Sequence, residues 1–401
     1  VSAVARLRAA GQRAAGALAR AVPPRLLARV VPAGQRFDPS APPPAVQLPD
    51  TAVRLLVAPV NSAGQGYAWA RAAERLPGVG ARAMAVRSVR DFGFATDQLV
   101  PLGDYRWSRA WQRAQRQAVL ADATHVLLES AKPLFGDAFG RGVRGEIEAL
   151  RAAGIRVALA WHGSDVRDPA AHRARERHSP YADGLWALTP ALQVRADRAR
   201  ALIEAAGCPL FVSTPDLLLD VPEAVWLPVV VEPERWRTDA APLAHGGRPI
   251  VAHAPSTAIV KGTDLIDGTL RALEAEGLIE YRRIEGVSSA QMPAAYGAAD
   301  IVLDQFRIGS YGVAACEAMA AGRIVVSHVA SVVRDRVQAD TGLAVPIVQA
   351  EADELEAVLR GLLADPSAAL ATAATGPAFV AAVHDGALSA RQLAPWLEEH
   401  R

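Results

Sequence analysis

Gly309-Ser310-Tyr311-Gly312-Val313-Ala314-Ala315-Cys316-Glu317-Ala318-Met319-Ala320-Ala321-Gly322 sets a glycine-bearing loop before a helix of small residues, with one carboxylate in its second turn. The first N–H groups of a helix have no partner within it and the helix dipole is positive at that end, so the loop suits an anion. Glu317 lies five residues beyond Gly312. At the usual helical rise that is roughly 7.5 Å along the axis, too far to share one phosphate and reasonable for adjoining sugar hydroxyls. Amides for a diphosphate and a carboxylate for a ribose make this stretch a candidate nucleotide site. Upstream, Lys261-Gly262-Thr263-Asp264 sets a cation and a glycine before another helix.

Around this loop the pattern alternates. Ile250 to Ala254, Tyr281 to Ile284, Asp300 to Asp304 and Ile324 to His328 read as strands, and Asp264 to Glu276, Ala290 to Gly297 and Gly312 to Ala321 as helices. The first half repeats the scheme. Val53 to Pro59 is a buried strand, Asn61 to Tyr67 a glycine loop, and a helical Ala/Arg pattern runs on to Leu76. Apolar runs at Ala81 to Val86, His125 to Leu128, Val157 to Trp161 and Leu185 to Leu188 alternate with helical stretches at Trp107 to Ala121 and Phe139 to Ala153. Such alternation implies parallel sheets covered by helices. The expected fold is α/β, two doubly wound Rossmann-like domains facing across a cleft where the carboxyl ends of both sheets converge. The expected divisions are 1–50 as an Arg-rich extension and Pro-rich linker, 51–228 as the first domain, 229–248 as a linker, 249–380 as the second domain, and 381–401 as a helix crossing back to the first.

Composition narrows the classes. The 401 residues are 51% hydrophobic and 21% charged, ordinary for a folded protein of two or three domains. A formal charge of +1 gives no general pull toward nucleic acid, so an anion site must be local. Cys208 and Cys316 in apolar or small-residue contexts support neither a disulfide framework nor a metal cluster, and a reducing cytoplasm fits. Nearly every base is Arg; Lys occurs only at Lys132 and Lys261. A compact ammonium reaching a phosphate is one reason to keep Lys261 in a chain so biased. No uninterrupted apolar run reaches the roughly 20 residues of a membrane helix. From Val1 to about Gln35 the chain carries Arg6, Arg13, Arg20 and Arg29 and no acid. That segment suits anionic lipid and superficially resembles a transit peptide, the alternative being an Arg-rich helix or arm packed on the protein or left mobile. A start at Val1 rather than Met suggests a processed or trimmed chain.

On these residues the second half resembles the nucleotide-sugar domain of the GT-B glycosyltransferases, especially the retaining family-4 type. The carriers are His253-Ala254-Pro255-Ser256-Thr257-Ala258-Ile259-Val260-Lys261-Gly262-Thr263-Asp264, then Ala298 to Asp304, then Glu317 to Gly322. The resemblance implies that Lys261 binds diphosphate oxygens with Gly262 and Ser256 beside it, that Glu317 holds the ribose, and that Gly309, Ser310, Tyr311, Gly312 and Val313 present the loop to phosphate and sugar. Two positions depart from the family. Gly309 stands where a Glu is usual, which touches the hold on the donor hexose, and Ser256 where an Arg is frequent. Arg307 and Arg282 are candidates to replace the missing Arg.

In the first half, Ala160-Trp161-His162-Gly163-Ser164-Asp165 follows a strand, putting His162 at the sheet's carboxyl edge. The resemblance implies that His162 meets the donor sugar near the reacting carbon, where an imidazole can hold a hydroxyl or manage the acceptor proton. The other reading is a turn in which Asp165 caps the next helix. Asn61, Gly64, Gly66 and Asp165 are acceptor-side candidates, against a plain tight turn between strand and helix.

The implied activity is transfer of a sugar, as a hexosyltransferase, from a nucleotide-sugar donor to an acceptor hydroxyl. Lys261 and the loop amides would stabilise the leaving diphosphate. The sequence contains no Asp-x-Asp pair to hold a divalent cation there, so neither metal nor other cofactor is expected. Partners are the donor and an acceptor the sequence leaves open. A nucleotide-sugar epimerase of the same architecture and a non-catalytic nucleotide-sugar-binding protein remain as alternatives.

Overall fold

The computed structural model describes residues 22–87, 93–136 and 142–398, which form two units. The first takes the chain up to Asp165, then Asp197–Phe211 and the chain from Trp396; the second takes Val166–Ala196 and Val212–Pro395. Two stretches expected in the first domain, 166–196 and 212–228, therefore belong to the second unit.

The first sheet contains β1 (Val53–Ala58), β2 (Val79–Val86), β3 (Gln98–Val100), β4 (His125–Glu129), β5 (Arg156–Trp161), β6 (Leu210–Val212) and β7 (Val225–Trp226), in the order β3-β2-β1-β4-β5-β6-β7. Pairing from β3 through β5 is parallel throughout. Leu55 to Ala58, Val126 to Leu128 and Val157 to Trp161 are buried, as a sheet covered on both faces requires. The helices Gln65–Ala73 and Arg109–Asp122 bury Trp69, Ala73, Trp111 and Val119. Strand order reverses between β1 and β4, and ligands of doubly wound sheets sit beyond the carboxyl ends of such a pair.

The expected apolar run Leu185 to Leu188 does not enter the sheet. It is a turn in which Trp186 stacks on Tyr181 at 5.8 Å and Leu188 is exposed. Thr189-Pro190 opens the helix Thr189–Ala206 directly after it, leaving no length for a strand. The short run Leu210–Val212 supplies the strand instead.

The Pro-rich stretch is tied down: Val46 N–H donates to Gln115 Oε1 at 2.9 Å and Gln98 Nε2 to the Pro44 carbonyl at 2.8 Å. Before it, the helix Pro24–Val30 buries Leu27 in a cluster with Val31 and Phe37 against Trp107. Residues 1–21, with Arg6, Arg13 and Arg20, lie outside the described residues, as do 137–141 at the start of the helix expected from Phe139, and 399–401. The final helix Ala387–Glu398 carries Trp396 into the first unit, where its ring packs on His125 at 5.2 Å and Phe211 at 6.1 Å.

The second unit has β8 (Ile250–His253), β9 (Glu280–Arg283), β10 (Ile301–Leu303), β11 (Ile324–Ser327) and β12 (Val348–Gln349), parallel in the order β12-β11-β10-β8-β9. Val251, Ile301, Leu303, Ile324 and Val326 form its core with Ile266, Leu270 and Leu273 of the helix Thr263–Ala275. Its order reverses between β8 and β10. The segment 166–196 is held to this unit by charge. Arg167 pairs with Asp216 at 2.5 Å with both side chains buried, and Arg175 with Asp220 at 3.0 Å. Ser367 to Glu398, with an 18-residue window of mean hydropathy 1.2, is long and apolar enough to cross a membrane by length and composition. It comprises two helices, Ser367–Val383 and Ala387–Glu398, and the first buries Ala373, Phe379, Val380 and Val383. Such a profile is also that of a core helix.

Candidate functional site

At the reversal point of the second sheet, β8 ends on fully buried His253. Its Nδ1–H donates to the Leu303 carbonyl at 2.9 Å, so Nε2 accepts from the Thr263 hydroxyl at 2.8 Å. Burial, with smaller pushes from Lys261 and Arg283, takes the ring down to about 4, so it is neutral and pins the helix Thr263–Ala275 to the sheet.

Beside it, Lys261 ends the short helix Ala258–Lys261, and its ammonium forms an ion pair with Asp304, just past β10, whose side chain is fully buried. Gly262, left-handed at φ 75°, separates this helix from the next. Ser256 is exposed in the bend after β8. Of the two arginines considered as further cations beside Lys261, neither is free among the described residues. Buried Arg307 donates to Asp264 Oδ2 at 2.6 Å and to the His178 carbonyl at 2.9 Å, and Arg282 pairs with Glu280 at 2.6 Å on β9.

The loop before the helix Val313–Ala320 divides its residues between packing and access. Ser310 is buried and its carbonyl takes a hydrogen bond from Gln305 Nε2. Tyr311 is core, its ring against Phe379 and His384 and its hydroxyl 3.3 Å from His384 Nε2, so only its backbone is left for a ligand. Gly312 is extended (φ −136°, ψ −160°), and a Cβ placed there meets nothing within 4 Å, so space lies open beside the helix start. Val313, the first helical residue, is half-buried. Glu317 follows a turn later. Burial first, then Asp304, push its carboxyl up to about 8 against the pull of Arg235 and Lys261. Lys261, Asp304 and Glu317 thus share one electrostatic neighbourhood at this helix.

Gly309 (φ 69°) meets a residue the sequence did not single out. A Cβ at Gly309 would collide with Glu176 Oε1 and stand 2.9 Å from Glu176 Cδ. A carboxylate therefore lies over Gly309, brought there by the segment 166–196. His328 Nε2–H donates to Glu176 Oε2 at 2.8 Å, and Nδ1 faces Glu351 Oε1 at 3.0 Å and Gln349 Nε2 at 3.1 Å. Burial opposes charging of the His328 ring, but the Glu176 bond and both carboxylates outweigh it and raise its pKa.

In the first unit, His162 Nε2 lies 2.8 Å from Glu129 Oε1, and its ring stacks on Trp69 at 5.0 Å and 11°. Glu129 closes β4 with no exposed side-chain surface, and its Oε2 accepts the N–H groups of Val60 and Asn61, both at 3.0 Å. Desolvation disfavours a charged His162, yet the hydrogen bond and charge of Glu129 and the charge of Asp165 prevail, and its pKa is raised. The sequence signal for Glu129 was a lone carboxylate closing the apolar run from His125, at the reversal point of the sheet.

The acceptor-side candidates are engaged by the protein itself. Asn61 is left-handed (φ 52°); its Oδ1 accepts Tyr67 N–H at 2.9 Å and its Nδ2 donates to the Ala95 carbonyl at 2.8 Å. A Cβ on Gly64 would stand 3.1 Å from the Phe94 ring, and one on Gly66 3.0 Å from both Glu129 oxygens. These glycines admit the protein's own groups. Asp165 accepts from Gly163 N at 2.7 Å, His162 N at 3.0 Å and the Ser130 hydroxyl at 2.5 Å, closing the turn that sets His162. It does not cap the next helix; Asp168 does, accepting from Ala170 N at 2.9 Å and Ala171 N at 3.0 Å.

No protein-family model matches the chain, and no curated protein matches it in sequence. Among solved structures it is similar to sucrose-phosphate synthase from Thermosynechococcus elongatus (14% identity, TM-score 0.56, covering 86% of this chain and 98% of that one). It is also similar to Anabaena HepE in complex with UDP-glucose (13%, 0.55, 86% and 99%) and to a glycosyltransferase from Rickettsia africae (12%, 0.51, 86% and 97%). At these identities the likeness carries the fold, the GT-B architecture of two Rossmann-like domains.

Proposed function

We propose that the chain is a nucleotide-sugar-dependent glycosyltransferase acting on an acceptor hydroxyl. One observation carries the reading: the start of the helix Val313–Ala320 is open at Gly312 and shares its surroundings with Lys261 and Glu317. A diphosphate there would take the first N–H groups of the helix, and Lys261 would exchange part of its attraction to Asp304 for phosphate oxygens. Charge builds on the diphosphate as the glycosidic bond breaks, so preorganised donors lower the barrier. Glu317 would accept from ribose hydroxyls. The positive potential of Lys261 and the amides lets the proposed reaction proceed without a divalent ion. Retention of configuration and a hexosyl group are proposed on the resemblance of the motifs.

His162 is the proposed proton-managing residue. With Nε2 committed to Glu129, Nδ1 makes no hydrogen bond with the described residues and is available to a hydroxyl. The raised pKa makes the cation accessible near neutral pH, which suits a group that donates to developing negative charge.

Incubation with UDP-, GDP- and dTDP-sugars, with and without candidate acceptors, tests the reading through released nucleotide. Acceptor-dependent release supports it. Binding without turnover would leave a nucleotide-sugar-binding protein, and failure to bind any nucleotide would overturn both.

A further inference from the structure

The Glu176 carboxylate has one oxygen engaged and one without a hydrogen bond to the described residues. Oε2 is fixed by His328, whose ring is braced by Glu351 and Gln349; Oε1 faces Gly309 and bonds to none of the described residues. The side chain is only 14% exposed. An acceptor held this rigidly, with desolvation largely completed, gains most from a donor supplied from outside. Gly309 leads to the open helix start at Gly312, and three residues of chain reach at most about 10 Å. That span is comparable to the distance between a diphosphate and the far hydroxyls of the sugar it carries.

The sign of the charge selects the ligand group. A phosphate is repelled by Glu176 and attracted to the helix start, and a cation is disfavoured by that same positive helix end. A neutral group rich in O–H donors satisfies both. We infer that Glu176 binds hydroxyls of the donor sugar through Oε1, with His328 as its positioning residue and Gly309 as the gap that lets it in. This inference rests on the nucleotide-sugar reading and adds a sugar-binding residue from a segment remote in sequence.

Calorimetry with paired probes tests it: UDP against UDP-glucose, GDP against GDP-mannose, and dTDP against dTDP-glucose, on the full chain and on Glu176→Gln. With its proton on Nε2, His328 donates to the amide oxygen, and the Gln side chain then turns its NH2 toward the place of Oε1 and replaces an acceptor by a donor. The expected result is a nucleotide affinity unchanged within about twofold and a nucleotide-sugar affinity lower by about tenfold or more, the scale of one charge-assisted hydrogen bond. Glu176→Asp keeps the charge and should fall between. An unchanged ratio of sugar-bearing to free nucleotide in Glu176→Gln overturns the assignment to Glu176 while leaving the donor site standing. No nucleotide binding by the unaltered chain overturns the donor reading itself.

Discussion

Lys261 and Asp304 form an ion pair at the carboxyl edge of the second sheet, the Asp304 side chain fully buried and that of Lys261 13% exposed. The lysine that the sequence marks as a phosphate ligand is thus held in place by the protein's own anion. In the proposed function this pair serves binding and stability together, and the two can be separated.

Lys261→Ala should weaken nucleotide binding at least tenfold and also destabilise the fold. Removing one partner of a buried pair leaves an uncompensated charge, which typically costs about 3 kcal/mol or more. Adding Asp304→Asn to Lys261→Ala should recover most of the stability and none of the affinity. Urea denaturation and calorimetry on the two variants check both halves; recovered affinity in the double variant would show that Lys261 does not act on the ligand.

Glu129→Gln should lower the pKa of His162. The raised folded pKa means that the Glu129–His162 interaction contributes stability fully present below the unfolded value near 6.5 and lost as pH rises through the folded value. The substitution should therefore reduce stability more at pH 6 than at pH 9. The imidazole titration followed by NMR is the direct measurement, and an unmoved pKa would refute the pairing as its cause.

Glu317→Gln should stabilise the ligand-free protein in a pH-dependent way. The folded carboxyl sits at about 8, above its ordinary value of 4.5, so folded protein holds the proton and loses stability as pH rises between the two. At pH 4.5 and below, Gln and protonated Glu are equivalent and the melting temperatures should converge. At pH 8.5 the variant should melt several degrees higher, while binding nucleotide less tightly; thermal melts across this range decide it.

Gly309→Ala and Gly312→Ala should part company. At Gly309 a methyl meets both a left-handed backbone and Glu176, and the backbone alone costs about 1–2 kcal/mol. At Gly312 the backbone is extended and space is open, so stability should move by less than about 0.5 kcal/mol. Nucleotide binding should nonetheless weaken, because the methyl would occupy ligand space. Unchanged affinity in Gly312→Ala would move the phosphate away from this helix.

The strands that run deep in each sheet were legible because burial on both faces leaves near-continuous apolar stretches, as at Leu55 to Ala58 and Ile324 to Ser327. Edge strands such as Gln98–Val100 were not, since three residues carry no period. The relation of Gly312 to Glu317 could be read because spacing along one helix fixes it, whereas Lys261 ends a different helix and its nearness to Glu317 is tertiary. Glu176 could not: its nearness to Gly309 depends on the ion pairs of Arg167 and Arg175, which are tertiary. The glycines near Asn61 show the converse limit. A missing side chain signals close approach, but sequence does not say whether ligand or protein approaches.

The return of Val166–Ala196 to the second unit has a consequence for dissection. The polypeptide passes between units after residues 165, 196, 211 and 395, so no single nick separates them and no contiguous fragment is a whole unit. A piece ending at 228 would carry the Glu176 segment without the loop it lies against, and a piece beginning at 249 would present Gly309 with no carboxylate above it. Shuffling such halves between related chains would exchange Glu176, the residue proposed to bind the sugar, together with the first half, although it lies in the second unit.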